Sequence, residues 1–419
     1  MFARSTLTLA LALILTQPGF AAEDNTNPTD PTSAGANTST EQHLKPATIT
    51  QIADINQPDN QQEKSEEDSQ PVNLGTGEDT SQAVNAQTEK ALEKAQNVVQ
   101  QLPETPSIEP VETPAKKPSN DWSLENLNNA NWTTDLGKGQ FIEYAKAQVL
   151  LNRHHSSPGV IDGISGTNML KAISAFQVMN NLKVTGLLDA ETWAALTAGQ
   201  SNDVFQTYTI TQQDIDGPYA DSIPRNYAEQ AKMKALSYTR VTEMLGERFH
   251  MDENFLKKIN PDASFKKAGE TIIVANPRED LTDPVALIIA HKGAKHVYAF
   301  DKNNKMVASY PATIGSTDTP SPKGTYQVKA IAPNPWYGYN PKNFVQGNNM
   351  KPLSLPPGPN NPVGNMWIAL SKPSFGIHGT PEPSLISKTA SHGCIRLTNW
   401  DAGALSQRVK PGVTVRFLE

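Results

Sequence analysis

Not one Phe, Tyr or Trp occurs between residues 23 and 120. The stretch holds 17 Asp/Glu against 6 Lys, and ten prolines among many Thr, Asn, Gln and Ser. Such a segment buries too little apolar surface to offset the entropy of ordering, so residues 23–120 are predicted to be a disordered acidic tether. Thr88–Leu102 carries good helix formers, but a helix of that length alone in water is marginal. A partner-binding segment is the alternative reading. Ordered structure is therefore expected to begin at about Trp122, and the length of 419 residues leaves room for several domains there.

Ahead of the tether, Arg4, the apolar run Leu7–Leu15 and the small-residue site Gly19–Phe20–Ala21 predict a secretory signal peptide over residues 1–22. The apolar run is about half the ~20 residues of a bilayer-spanning helix. No later segment is long and apolar enough, so no transmembrane segment is expected and the mature chain should be exported. The net charge of −7 argues against a nucleic-acid binder, which would carry a basic excess. One cysteine excludes a disulfide framework and a CxxC zinc site.

Within residues 121–200, apolar residues recur at helical spacing over Gln140–Arg153 and Thr167–Met179. A third short helix is expected after Asp189, its N-cap. The glycine-rich turn Ser157–Gly166 separates the first two, and Phe176, Leu187 and Trp193 are expected in the core. The combination VIDGISGTNMLKAISAFQ…LKVTGLLDAETWAAL resembles the small all-α, three-helix peptidoglycan-binding domain of cell-wall enzymes. In residues 201–280, YTITQQDI and FHMDENFLKKINPD…FKKAGETIIVAN resemble the two ends of a glycan-binding LysM repeat. They flank an insertion over Asp216–Thr242, so a LysM-like α+β segment or a plain spacer is expected there.

From residue 281 onward the pattern turns to period two. VALIIAH, HVYAF, KMVASYPATIG and GTYQVKAIA alternate β-branched or aromatic residues with polar ones, with turn residues between them, as in an antiparallel meander. MWIAL, FGIHG and VTVRFL add strands, and only Asn399–Val409 reads as helix, capped by Thr398 or Asn399. A mainly-β domain with one helix is expected over residues 281–419.

The chemistry concentrates in one window. His378 closes the strand FGIHGT, and Ser391–His392–Gly393–Cys394–Ile395–Arg396 follows. A free thiol is only about 3% thiolate at pH 7, so a nucleophilic cysteine needs a base or positive neighbours. The window supplies His378, His392 and Arg396. Gly393 permits a tight turn whose amides could stabilise an oxyanion. A buried structural cysteine and a zinc held by His378, His392 and Cys394 are the competing readings. Neither accounts for the glycine turn and the following arginine, and no metal or cofactor is expected.

GIHGTPEPSLISKTASHGCIRL resembles the signature of L,D-transpeptidases with the YkuD-type catalytic domain. Thr319–Tyr326 and Leu355–Leu370 resemble further blocks of the Gram-negative branch. The chain departs from that pattern at Ser387, where family members often have glycine. A positive φ there would make serine costly. The resemblance implies a periplasmic, wall-associated enzyme acting on peptidoglycan stem peptides and glycan. Cys394 would attack the carbonyl of residue three of a tetrapeptide stem, with His378 as base, His392 as orienting group, and Gly393 and Cys394 amides as oxyanion donors. Arg396, Gly379 and Ser391 would meet substrate. An amine acceptor on another stem gives a 3–3 cross-link; water gives a carboxypeptidase, and an envelope protein is a further acceptor. A non-catalytic peptidoglycan-binding protein is the remaining alternative. Residues 285–419 carry 14 Lys/Arg against 5 Asp/Glu, a field that attracts carboxylate-bearing stems. Ala332–Gly364, rich in Pro, Asn, Gly and aromatics, is either a lid over Cys394 or a packed surface loop.

Overall fold

Glutamine side chains organise both turns of the helical region. The computed structural model describes residues 85–103, 116–315, 320–340, 351–389, 391 and 393–419. Its first helices are α1 (Ala86–Val99), α2 (Leu124–Asn129), α3 (Ile142–Arg153), α4 (Thr167–Met179) and α5 (Ala190–Thr197). Gln148 Oε1 accepts from the amides of Asp162 and Gly163. Gln177 Oε1 does the same for Thr185 and Gly186. Each turn thereby satisfies backbone donors that water would otherwise have to reach. Asp189 caps α5 by accepting from the Thr192 amide at 2.8 Å. Phe176 and Trp193 are buried as expected, but Leu187 is 38% exposed. It lies within the second turn, where its carbonyl accepts from Gln177, so its side chain is left outside the core.

The chain continues through β1 (Phe205–Thr209), α6 (Gln212–Asp216), α7 (Tyr227–Gln230), α8 (Val241–Arg248), α9 (Glu253–Lys258) and β2 (Thr271–Ala275). β1 and β2 pair antiparallel from Phe205↔Ala275 to Thr209↔Thr271. This segment and the helices before it share one hydrophobic core, in which Phe141, Ile173 and Phe176 join Phe205, Leu245, Phe255 and Val274. Burial of this kind is worth roughly 1.5–3 kcal/mol per large side chain.

The remaining strands are β3 (Leu287–His291), β4 (His296–Phe300), β5 (Met306–Pro311), β6 (Thr313–Ile314), β7 (Gly324–Pro333), β8 (Tyr337–Tyr339), β9 (Leu353–Leu355), β10 (Met366–Leu370), β11 (Gly376–His378), β12 (Ile395–Arg396) and β13 (Thr414–Leu418). α10 (Asn399–Ser406) precedes the last strand, and Thr398 caps it by accepting from the Asp401 amide. Nine strands form one sheet in the order β5-β4-β3-β13-β7-β10-β11-β12-β6. Only Ala312 separates β5 from β6, yet they occupy opposite ends of that order. The sheet therefore curls until its two edges meet in a single stretch of chain, leaving a closed interior filled by Ile288, Val297, Tyr310, Val328, Ile368, Ile377, Ile395 and Val415. The expected antiparallel meander holds for β3, β4 and β5. Two parallel pairs, β3 with β13 and β11 with β12, were not legible in local patterning.

The outer face of β3 and β4 presents Leu287, Ile289, Tyr298 and Phe300, and it is covered by α1 and α4. Residues 85–103 thus depart from the expected disorder. The stripe Leu92, Ala95 and Val99 finds a sheet face to bury against, which supplies the tertiary packing a lone helix lacks. Asn85 caps α1 through the Thr88 amide, and Glu89 accepts both oxygens' worth of bonds from Arg416 at 2.9 Å. Residues 23–84 and 104–115 of the expected tether, and the signal-peptide region, lie outside the described residues.

The helical region is tied to the sheet by polar contacts. Ser157 donates its amide to Ser309, whose own amide donates to His155, each at 2.9 Å. Arg278 and Asp401 form a buried ion pair at 2.9 Å, with side chains 3% and 0% exposed. The Ser157 hydroxyl donates to the second Asp401 oxygen. Among the described residues no helix is long and apolar enough to cross a membrane.

Candidate active site

Register decides which side chains meet. Strand β11 lies between β10 and β12, with Trp367↔His378 on one side and His378↔Arg396 on the other. Residues in register point to the same face of a sheet, and neighbours along a strand to opposite faces. Ile368, Ile377 and Ile395 accordingly enter the closed core, while Trp367, His378 and Arg396 share the opposite face. Cys394 stands two residues before Arg396 and returns to that same face, where it packs against the cluster of Ala332, Val363, Trp367 and Ala369. The pattern thus brings Cys394, His378 and Arg396 together on one surface. Gly376 makes room beneath them, since a Cβ there would lie 2.6 Å from the Trp367 ring.

His378 is 4% exposed, and its ring stacks on Trp367 with centroids 5.5 Å apart and planes at 20°. Its Nδ1 lies 2.7 Å from the Gly379 carbonyl. A carbonyl only accepts, so Nδ1 carries the proton and Nε2 keeps its lone pair. Burial, then the charge of Arg396, holds the imidazole down at about 3, against the pull of the Gly379 bond. The Cys394 thiol donates toward the Ser374 carbonyl at 3.7 Å. Burial pushes it up to about 11, although a backbone bond from Gly376 and the nearby Arg396 both favour the thiolate. At neutral pH the pair is therefore thiol and neutral imidazole. The face holds a nitrogen that can accept a proton and a thiol that can give one, so any attack by the sulfur would have to be accompanied by proton transfer.

Arg396 is flanked by Tyr227, Tyr337, Glu382 and Cys394, and its Nε has no hydrogen-bond partner among the described residues. Gly379 and Ser391, expected against substrate, are engaged otherwise. Gly379 holds His378 through its carbonyl. Ser391 is 2% exposed, and its hydroxyl accepts from the Gly315 amide and donates to the Cys394 carbonyl at 2.7 Å each. It fixes the turn that presents Cys394. Gly393 sits in that turn at φ +98°, and a Cβ there would lie 2.8 Å from the Phe375 ring. His392 lies outside the described residues. Ser387 does adopt positive φ, at 67°, and its hydroxyl donates to the Ala312 carbonyl at 3.1 Å while its amide bonds Thr313.

Sequence reasoning missed Asn399 and Trp367. Asn399 is buried, and its Oδ1 accepts from the Thr380 amide at 3.1 Å and the Asn365 amide at 3.3 Å. Gly364 and Gly379 close on it so tightly that a Cβ at either would come within 2.0 or 2.1 Å of Oδ1. The stretch expected as lid or surface loop is in part a hairpin, β8 with β9. Its base packs on the insertion of the middle segment through Leu236, Tyr339 and Leu355, with Tyr227 edge-on to Tyr339 at 5.1 Å. Residues 341–350 lie outside the described residues.

Comparison with known proteins places two regions of the chain in known families. Residues 286–416 match the family model "L,D-transpeptidase catalytic domain", and residues 143–196 match "Putative peptidoglycan binding domain". The chain carries a YkuD-type L,D-transpeptidase domain. It is similar to the "Putative L,D-transpeptidase YkuD" of Bacillus licheniformis, 27% identical over 175 residues that cover 41% of this chain and 90% of that protein. It is also similar to the "Probable L,D-transpeptidase YbiS" of Escherichia coli K12, 26% identical over 187 residues, 43% of this chain and 61% of the other. The solved L,D-transpeptidase 3 from Mycobacterium tuberculosis aligns over 36% of this chain and 76% of its own, at 14% identity and a TM-score of 0.27. The transpeptidase domain thus follows a peptidoglycan-binding domain in the same chain, and the protein is an enzyme of the transpeptidase class.

Proposed function

We propose that the protein is a periplasmic L,D-transpeptidase that forms 3–3 cross-links through an acyl thioester on Cys394. The observation that carries this reading is the pairing of a half-buried thiol with a base-ready imidazole on one sheet face, His378 Nδ1 pinned by Gly379 and Nε2 left to accept a proton. Cys394 Sγ attacks the carbonyl of the L-centre of the third residue in a tetrapeptide stem, and its proton passes to His378. The tetrahedral oxyanion is met by the Gly393 and Cys394 amides. Collapse breaks the peptide bond, D-Ala leaves with the proton from His378, and the thioester remains. An amine of a second stem then attacks the thioester, His378 takes its proton, and Cys394 is released as the thiol. Arg396, with an unpartnered Nε, suits the carboxylate of the donor stem, and His392 is assigned an orienting role toward the loop or the substrate.

Residues 1–22 support export, and the helical domain over 121–200 supports retention of the enzyme on peptidoglycan. The antiparallel pairing of β1 with β2 around four intervening helices in residues 205–275 supports a LysM-like fold for 201–280, enlarged by the insertion that buttresses the β8–β9 hairpin. The test is incubation of the purified protein with disaccharide-tetrapeptides and mass spectrometry of the products. Dimers lacking one D-Ala, and absent with Cys394→Ala, are expected. Tripeptides alone would reassign the enzyme as a carboxypeptidase, and the lack of any thiol-dependent product would reject thioester chemistry.

A further inference from the structure

His378 is held by one end of a peptide group whose other end is linked, through Asn399, to a residue outside the catalytic domain. The Gly379 carbonyl that accepts from His378 Nδ1 at 2.7 Å belongs to the same peptide bond as the Thr380 amide, which donates to Asn399 Oδ1 at 3.1 Å. Asn399 in turn donates Nδ2 to both carboxylate oxygens of Glu247, at 3.0 Å each. Glu247 lies on α8, in the middle segment, outside the catalytic sheet. The bonds run in one direction throughout: imidazole to peptide, peptide to side-chain amide, side-chain amide to carboxylate. Each bond in such a chain polarises the next. A carboxylate at its end makes Asn399 Oδ1 a stronger acceptor, and through it the Gly379 carbonyl a stronger partner for the Nδ1 proton.

We propose that Glu247 is a positioning residue for His378, acting through Asn399 and the 379–380 peptide to fix the imidazole and strengthen its basicity. It does at a distance of two amide groups what a carboxylate bonded directly to a catalytic histidine does in a triad. The packing fixes this route, although Asn399 Nδ2 also reaches the Pro359 carbonyl at 3.3 Å. Gly364 and Gly379 leave Asn399 no space to turn, and the Asn365 amide shares its Oδ1. The Tyr238 hydroxyl donates to Glu247 at 3.1 Å from the insertion. Two further charged groups face or adjoin Glu247. Glu243, on the same helix, is occupied by Asn360 and Thr239, and Arg248 is turned to Asp214 at 2.8 Å. Burial, chiefly, raises the Glu247 carboxyl to about 7, so its charge changes within the ordinary working range. The middle segment therefore contributes to the reaction centre as well as to the shared core.

This inference rests on His378 being the catalytic base, and its test separates the two. In the full chain with 15N-labelled histidines, the His378 Nδ1 proton is observed by NMR and assigned by its absence in His378→Gln. That resonance is expected to move upfield as the pH is lowered from about 8 to about 5.5, while Glu247 takes up a proton. In Glu247→Gln, which keeps the shape and an acceptor for Asn399, it should stay upfield at every pH. In the transpeptidation assay kcat at pH 8 should fall about three- to tenfold, as befits a network weakened at a remove, with KM unchanged. A resonance that ignores pH and is the same in both proteins overturns the proposal. The NMR readout needs no substrate, so it stands whatever the product assay returns. If Glu247→Gln does not fold, the wild-type titration alone decides.

Discussion

Replacing Glu247 with glutamine should change how the stability of the protein depends on pH. In the folded chain this carboxyl titrates near 7, against an ordinary 4.5, because burial outweighs the bonds from Asn399 and Tyr238. An acid whose folded pKa lies above its unfolded value binds protons more tightly when folded. Stability is therefore highest below about 4.5, falls as the pH rises toward about 7, and is level above it. At about 1.36 kcal/mol per pH unit the whole fall is about 3 kcal/mol. That is an upper limit, since Glu247 keeps some contact with solvent. Glutamine fills the same space and does not titrate. Urea unfolding of both proteins at pH 5 and pH 8 should show the wild type losing up to about 2.5 kcal/mol of this relative to Glu247→Gln on going to the higher pH. Two curves that stay parallel would refute the reasoning, since they would mean that the carboxyl is not held neutral by its surroundings.

Asp401→Asn should be severe. It leaves Arg278 buried without its counter-charge, a loss of about 3–5 kcal/mol by urea unfolding. At Ser387, alanine should destabilise more than glycine. Alanine keeps the positive φ and loses the bond to Ala312, whereas glycine loses the bond but sheds a left-handed strain of about 1–2 kcal/mol, an order that thermal melts of the two variants will read.

Local signals carried much of this structure. The three helices of the peptidoglycan-binding domain, the Asp189 and Thr398 caps and the strands of the catalytic sheet follow from periodicity and turn residues that act within a few positions. The candidate window stood out because His378, Gly393, Cys394 and Arg396 lie within nineteen consecutive residues, and the shared face of Cys394 and Arg396 follows from the two-residue period of a strand. What stayed hidden depends on long-range pairing. Parallel pairing of β11 with β12 sets His378 beside Arg396, and no local pattern encodes it. α1 reads as a marginal helix in an acidic tether until the outer face of β3 and β4 is there to receive Leu92 and Val99. Glu247 and Asn399 are 152 residues apart, and each alone looks like an ordinary helix residue. Gly364 and Gly379 read as loop glycines, and only the packed structure reveals that Asn399 Oδ1 requires them.

In the proposed mechanism Cys394 Sγ is the atom that takes the acyl group. The most direct measurement is the intact mass of the purified protein mixed with a tetrapeptide stem whose amines are blocked, so that no acceptor is present, quenched in acid at short times. The wild type should gain the mass of the stem less D-Ala, carried on the peptide that contains Cys394, and the adduct should decay when an acceptor stem is added. His378→Ala should slow its appearance by about 10²–10⁴-fold. An adduct that persists in Cys394→Ala, or turnover of the stem in the wild type without any adduct on that peptide at any time, would contradict the mechanism.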